Sequence, residues 1–442
     1  MRLSERPTLL IGAALACPAG FDGVPAPGAV LASVEGGRLR ILASGEVGEV
    51  ERHPAARDAR RVDLPGHAIL PGLVNAHSHL DLTHAGARPF DRAGGFRGWL
   101  EMVLHVRVRE ADAVRASVRD GVARSMLGGV VAVGDIAGVE RMEPTEELRS
   151  SDLIGDSFHE FFGVGERQAT TAARVGATLE AHAGEAAGVR LGLSPHAPYT
   201  VGLRLYDHAQ REAERRNVPV ATHLAEGAEE REFVATGRGL FRELLERLGV
   251  WDDTALDDVG GGRSPIAHLE SALLRRPMLL AHVNDCPDAD IERLALARAS
   301  VAYCARCSDY FLRHEEFGAH RYLEMLAAGV NVCLGTDSVI NLPPEEAERL
   351  STLDDARFLF ARDGADPRLL LRMATTHGAR ALGLEEGLFT LAPGEAAGLV
   401  AVDVEGCAGR TAAERVMRSG APARLLAVGK PGRARFVGMA LR

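Results

Sequence analysis

The sequence predicts an α/β protein: a parallel (β/α)8 barrel of the TIM type, with a small β-sandwich domain formed from both chain ends. Three observations predict it. Eight short apolar runs alternate with helix-period stretches through the middle of the chain, as expected of strands buried on both faces. The two ends are instead rich in short β runs and turns. Ligand-grade polar residues also follow the same end of five of the eight runs. At 442 residues the chain has room for one large barrel and an appendage.

The first part of the sandwich is assigned to residues 1–66, where turns at Pro27-Gly28 and Glu35-Gly36-Gly37 bound strand-like runs at 28–34 and 38–42. Arg2 and Arg6 ahead of the apolar run from Leu9 to Cys17 imitate a short signal peptide ending in a lipid-modified cysteine. That run is short, Pro7 opens it, and the strands after it need a first strand to pair with. A soluble, cytoplasmic protein is therefore expected. No run approaches the roughly 20 apolar residues of a membrane span.

The barrel is assigned to residues 67–387, with strands at 68–75, 129–136, 157–163, 189–194, 218–222, 278–282, 300–304 and 330–336. Helical periodicity marks 111–127, 203–216, 231–248, 291–298 and 320–328 between them. The longest crossover carries Gly260-Gly261-Gly262 and reads as an inserted loop. Helices at 345–360 and 367–382 close the domain. Residues 388–442 return to short β runs at 388–391, 399–404 and 425–428, which are expected to complete the sandwich.

Composition is that of an ordinary globular protein, 46% hydrophobic and 25% charged. The formal charge of -10 argues against a polyanion partner, since nucleic-acid binders present a basic face. The basic cluster from Arg211 to Arg216 reads as a solvated helix face. Six cysteines (Cys17, Cys286, Cys304, Cys307, Cys333 and Cys407) are too sparse for a secreted disulfide framework, which points to a reducing compartment. The expected partner is a small-molecule substrate, with no nucleic acid and no membrane; a homodimer is compatible with the sequence.

In a barrel the active site gathers where the strands end. The first run ends in His77-Ser78-His79, and residues i and i+2 of a strand point the same way. Two imidazoles aimed at one point are half of a metal site. The fourth run ends in Ser194-Pro195-His196, the fifth in Thr222-His223-Leu224-Ala225-Glu226, the sixth in Ala281-His282 and the eighth in Gly335-Thr336-Asp337. Any one of these histidines alone is more often a hydrogen-bonded core residue. Five at equivalent positions point to one shared site.

His77, His79 and His223 supply nitrogen ligands in this reading and Asp337 a carboxylate, leaving a position for water. Such an ion lowers the pKa of bound water toward neutrality. Glu226, three residues beyond His223, suits a proton carrier, passing a proton to a ring nitrogen or leaving group. His282 is placed to hydrogen-bond the nucleophile or the developing charge, and Asp337 to help deprotonate the water. No lysine stands at the fourth strand end to bridge two metals, which favours one divalent ion. The donor set favours zinc over iron or manganese.

His268-Leu269-Glu270 followed by Cys304-Ala305-Arg306-Cys307 imitates the zinc signature of nucleoside deaminases. Tyr303 stands where that signature has proline, and choosing it would leave the five strand-end groups without purpose. Cys307 reads as a small buried or pocket-lining residue. His159, His182, His208, His314, His320 and His377 are scattered singly and read as structural. His84 and His105 lie closer to the first strand end, with a surface role preferred. Arg107 and Arg109, on a helix after the His77/His79 loop, are candidates for contact with a substrate carboxylate.

Taken in order, the motifs Pro71-Gly72-Leu73-Val74-Asn75-Ala76-His77-Ser78-His79, Ser194-Pro195-His196-Ala197-Pro198-Tyr199-Thr200, Thr222-His223-Leu224-Ala225-Glu226, Ala281-His282-Val283 and Gly335-Thr336-Asp337-Ser338 resemble the amidohydrolase superfamily. The branch is that of guanine, S-adenosylhomocysteine and aminodeoxyfutalosine deaminases and triazine chlorohydrolases. The resemblance covers nearly the whole chain. It implies that His77, His79, His223 and Asp337 are the metal ligands, Glu226 the proton shuttle, His282 a catalytic histidine and His196 a substrate contact. Phe96-Arg97-Gly98-Trp99-Leu100 and Tyr310-Phe311 look most like the aminodeoxyfutalosine deaminases. This implies hydrolytic deamination of a 6-aminopurine-like substrate in an alternative menaquinone pathway. The other members of the branch and a catalytically silent binding barrel are the competing readings. Two stretches depart from the family pattern, Cys304-Ala305-Arg306-Cys307 and Ile340-Asn341, and both are expected where substrate sits.

Overall fold

The computed structural model describes residues 8–16, 28–138, 140–182 and 184–437. Cys17, and with it the lipoprotein-like end of the first apolar run, lies outside the described residues. The chain opens with β1 (Thr8–Ala16), β2 (Gly28–Glu35), β3 (Arg38–Glu46) and β4 (Arg60–Pro71). The middle carries β5 (Leu73–Ser78), β6 (Val130–Ala137), β7 (Ile154–Phe161), β8 (Glu185–Ala186), β9 (Val189–Pro195), β10 (Ala221–Leu224), β11 (Leu279–His282), β12 (Ser300–Tyr303) and β13 (Asn331–Leu334). The chain closes with β14 (Gly394–Glu395), β15 (Gly398–Asp403), β16 (Arg424–Val428) and β17 (Arg435–Phe436).

Both chain ends enter one sheet, in the order β14-β3-β2-β1-β4-β15-β16-β17. The link between them is β15, antiparallel to β4 with Leu399 opposite Pro71 and Ala401 opposite Ile69. Alternation sends Leu9, Ile11, Val30, Ile69, Leu399 and Leu426 into a common apolar cluster. The leader-like run is thus β1, paired with β2 on one side and β4 on the other.

In the middle of the chain β5-β6-β7-β9 form one parallel sheet, edged by the short antiparallel β8, and β10-β11-β12-β13 form another. Parallel bridges join them at both edges, Leu193 to Val220 and Ser78 to Asp337. First and last strands therefore meet next to His77 and Asp337. All of β5, β6 and β7 is buried, as the continuous apolar runs require. Among the described residues no helix is long and apolar enough to cross a membrane.

Several expectations are corrected. The run 68–75 is two strands: it breaks at Gly72, so Ala68 to Pro71 belong to β4 of the terminal sheet and β5 begins at Leu73. The helix expected over 231–248 is two helices, Ala228–Thr236 and Leu240–Arg247, interrupted where Gly237 and Gly239 take positive φ. The stretch 345–360 starts as a 3-10 turn, Pro344–Glu346, and becomes helical at Thr352–Asp363. The stretch 367–382 splits into Pro367–Met373 and Thr376–Ala381. Leu388 belongs to the 3-10 turn Glu386–Phe389 and not to a strand.

Candidate metal centre

The first strand delivers two imidazoles to one point. His77 is the fifth residue of β5 and His79 follows its end, their ring centroids 5.1 Å apart. Asp337 Oδ1 lies 3.6 Å from His77 Nε2 and 3.4 Å from His79 Nε2. His223, on β10, brings its Nε2 to 3.1 Å from His79 Nε2. His282, at the end of β11, stands 5.5 Å from His77 and 5.6 Å from His223, ring centre to ring centre. All five side chains are buried.

Backbone geometry sets these positions. Thr336 and Asp337 both donate their N–H to the His77 carbonyl (3.1 Å each). The Asn75 side chain clamps the same junction, accepting from Thr336 N (3.0 Å) and donating to Thr336 Oγ1 (2.8 Å). Asp337 and His282 sit at φ 56 and 74, a left-handed conformation that costs such residues energy and collects at functional sites.

Hydrogen bonds also fix the ring chemistry. His223 Nδ1 donates to the His196 carbonyl (3.0 Å), which leaves Nε2 with its lone pair facing His79. His77 Nε2 is buried without a hydrogen-bond partner, and so is His282 Nδ1. Burial depresses His79, His223 (to about 4) and His282, so these rings are neutral near pH 7. Burial works against ionised Asp337, but the His77, His79 and His282 rings outweigh it and hold this carboxyl well below the usual range. Its other oxygen is braced, accepting from Asn341 Nδ2 (2.6 Å) and Cys307 Sγ (3.0 Å). Imidazole nitrogens around one carboxylate, with an orphaned Nε2 among them, form a donor set that fits one divalent cation.

Glu226 lies beyond the strand end, ahead of the helix Ala228–Thr236, and is buried. Burial pushes its carboxyl up to about 8, against the opposing charge of Arg313. The Glu230 carboxylate holds the loop by accepting from the Ala225 and Glu226 N–H groups (2.9 and 2.8 Å). Asn284 Nδ2 donates to the Glu226 carbonyl (3.0 Å). His196, on the loop after β9, stacks on Phe162 at 4.8 Å and stands 4.9 Å from His223. Its Nδ1 meets Thr200 Oγ1 (2.7 Å), whose own hydrogen goes to the Ala197 carbonyl.

The two arginines part company. Both follow the helix Gly95–Val106 instead of lying on it. Arg107 turns inward to Asp81 (2.6 Å), whereas Arg109 is exposed. His84 is engaged with Ser117 and the Asp81 and Val106 carbonyls, and His105 is exposed. Among the described residues none of the groupings able to hold a metal includes His268, Cys304 or Cys307. The two stretches that depart from the family pattern both reach the site, since Cys307 and Asn341 bond Asp337.

The sequence reading missed Asp81, Asp135, Glu160 and Glu230. Each is a single acid without periodic or motif signal, and only the fold brings it to the site. Asp81 was in plain view two residues after His79.

A family model described as "Amidohydrolase family" matches residues 68–431. The chain is 32% identical over 380 residues to the aminodeoxyfutalosine deaminase of Deinococcus radiodurans, covering 82% of this chain and 83% of that protein. It is 28% identical over 384 residues to a 5-methylthioadenosine/S-adenosylhomocysteine deaminase of Syntrophobacter fumaroxidans, covering 83% and 80%. Its fold is similar to the crystal structure of Helicobacter pylori aminofutalosine deaminase with methylthio-coformycin, with a TM-score of 0.73 at 20% identity over 97% of this chain and 100% of the other. With more than half of its length matched by the family model, the chain belongs to the amidohydrolase family.

Proposed function

We propose that the chain is a metal-dependent aminohydrolase that replaces the exocyclic amine of a 6-aminopurine-like substrate with oxygen, an aminodeoxyfutalosine deaminase-like activity. It is a hydrolase of carbon–nitrogen bonds outside peptides. The observation that carries the reading is the convergence of His77, His79, His223 and Asp337 on one point with buried Glu226 beside them. We read the two parallel sheets as one (β/α)8 barrel running from Leu73 to residue 387, and the terminal sheet, made of β1 to β4 and β14 to β17, as a sandwich folded over its own apolar face.

His77, His79, His223 and Asp337 would hold the ion, zinc by the preference of a nitrogen-rich set. When bound, it supplies Lewis acidity and brings the pKa of a water toward neutrality. Glu226 enters the reaction protonated and gives that proton to the ring nitrogen beside the amine-bearing carbon. As water attacks that carbon, Asp337 takes one of its protons and passes it to the departing amine, which leaves as ammonia, while Glu226 takes the second proton from the new hydroxyl and is protonated again. His282, fixed by the His320 Nε2 bond to its carbonyl (2.9 Å), faces the developing charge. His196 borders the ring-binding side. Of the two arginines read as substrate contacts, Arg107 borders the site through Asp81 and Glu160, and Arg109 is exposed.

The test is ammonia release from 6-amino-6-deoxyfutalosine, S-adenosylhomocysteine, adenosine, guanine and a chlorotriazine. Release from the 6-aminopurine nucleosides, abolished by chelation, supports the reading. Chloride release alone would move it to the chlorohydrolase branch.

A further inference from the structure

One buried carboxylate at the site has no role in the metal set or in the proton path. Glu160, on β7, is 2% exposed. Its carboxyl belongs with His196 and His223 to a trio whose ligand atoms all lie within 4.8 Å of one another. It therefore stands beside the His223 imidazole, at the edge of the candidate metal centre. Arg107 Nη1 and His196 Nε2 each stand 4.0 Å from the Glu160 carboxyl, beyond hydrogen-bond length. Among the described residues no donor reaches this carboxyl, so its acceptor positions are open at the edge of the substrate space.

The surroundings decide what would fill them. Arg107 already donates to Asp81 at 2.6 Å, so it is engaged before it meets Glu160. Gly138 makes room for that pair, because a side chain there would run into the Asp81 carboxylate and the Arg107 guanidinium. Asp81 Oδ1 and Asp135 Oδ2 are buried nearby with no hydrogen-bond partner. Burial pushes Glu160 up to about 7, Arg107 opposing and Asp81 adding to the rise. Asp81 thus occupies the one guanidinium on this wall, and Arg107 gives Glu160 no hydrogen bond. His196 adds none, since its Nδ1–H is given to Thr200 and its Nε2 lone pair turns toward Glu160.

We infer that Glu160 is a specificity-determining residue that accepts hydrogen bonds from the vicinal hydroxyls of a nucleoside sugar. Two O–H donors on adjacent carbons match the two oxygens of a carboxylate, the chemistry by which acidic residues take ribose hydroxyls elsewhere. The inference rests on the deaminase reading and narrows it: nucleosides are favoured over free bases and triazines, which carry no such diol.

The test compares adenosine with 2′,3′-dideoxyadenosine, and 6-amino-6-deoxyfutalosine with its 2′,3′-dideoxy analogue, on metal-replete wild-type protein and on E160Q, following ammonia release and metal content. Wild type should favour the diol substrate about tenfold or more in kcat/KM, a loss typical of one hydrogen bond to a charged group. E160Q should lose that preference, chiefly through KM, while keeping its metal. Equal kcat/KM for diol and dideoxy substrates on wild type would overturn the inference without involving any variant. An E160Q defect of the same size on both substrates, or loss of metal from E160Q, would also overturn it, as a positioning or ligand role. No ammonia from any nucleoside overturns the deaminase reading itself, and this inference with it.

Discussion

At the scale of residues, the account turns on what burial does to Glu226. Its carboxyl is raised from an ordinary 4.5 to about 8 because it is taken out of water. An acid whose folded pKa exceeds its unfolded one keeps a proton that the unfolded chain has lost. Stability contributed by this group therefore falls as pH rises from about 4.5 to about 8. Glu226→Gln removes the dependence, so in metal-free protein its Tm advantage over wild type should grow from pH 5 to pH 8 and then level off. A difference independent of pH would show that Glu226 is not the buried acid described. In the metal-loaded enzyme the same variant should lose about 10²- to 10⁴-fold in kcat. Asn341 is a milder case. Its amide holds the outer oxygen of Asp337 at 2.6 Å, and Asn341→Ala should weaken metal affinity by about tenfold, read by competition with a chromogenic chelator. The candidate metal set was legible from single residues because two histidines at i and i+2 on a strand carry their geometry in their spacing. Asp81, Glu160 and Asn341 were not, because a lone polar residue gives no sign of what will fold against it.

At the scale of elements, periodicity worked where one element does one job. The helices Ala111–Leu127 and Leu203–Arg216 have the bounds that their apolar spacing predicts. It failed at junctions. The apolar run through Gly72 hid a change of sheet, since β4 and β5 are both buried and nothing in hydrophobicity separates them. The run ending at Leu391 looked like a strand because its apolar residues are buried, although Phe389 is buried from a 3-10 turn. The junction of β5 with the end of β13 is closely packed. A methyl on Gly335 would lie 2.9 Å from His77 Cβ and 3.0 Å from Cys304 Sγ, tighter than packed carbon atoms tolerate. Gly335→Ala should destabilise the fold by about 1–3 kcal/mol and weaken metal binding with it. Urea unfolding reads the first effect and metal titration the second. A variant as stable as wild type, with unchanged metal affinity, would contradict the packing described there.

At the scale of the whole molecule, the site is assembled from strands that are far apart in sequence. His77 and Asp337 are brought together by the bridge between Ser78 and Asp337, and His223 arrives from the other sheet. An ion held by all of them binds the folded chain and not the unfolded one, so it should raise Tm with concentration and chelation should lower it. The general architecture was readable because alternation of strand and helix extends over hundreds of residues. The single terminal sheet was readable only as β-rich ends, since the pairing of β4 with β15 joins residues that no local pattern connects. The measurement that bears most directly on the central claim is the divalent metal content of purified protein, beside that of His77→Ala and His223→Ala. The account predicts one ion per chain in wild type and well under half of that in each variant. Wild-type protein that binds no ion when zinc, iron or manganese is supplied, or variants that bind as wild type does, would contradict it.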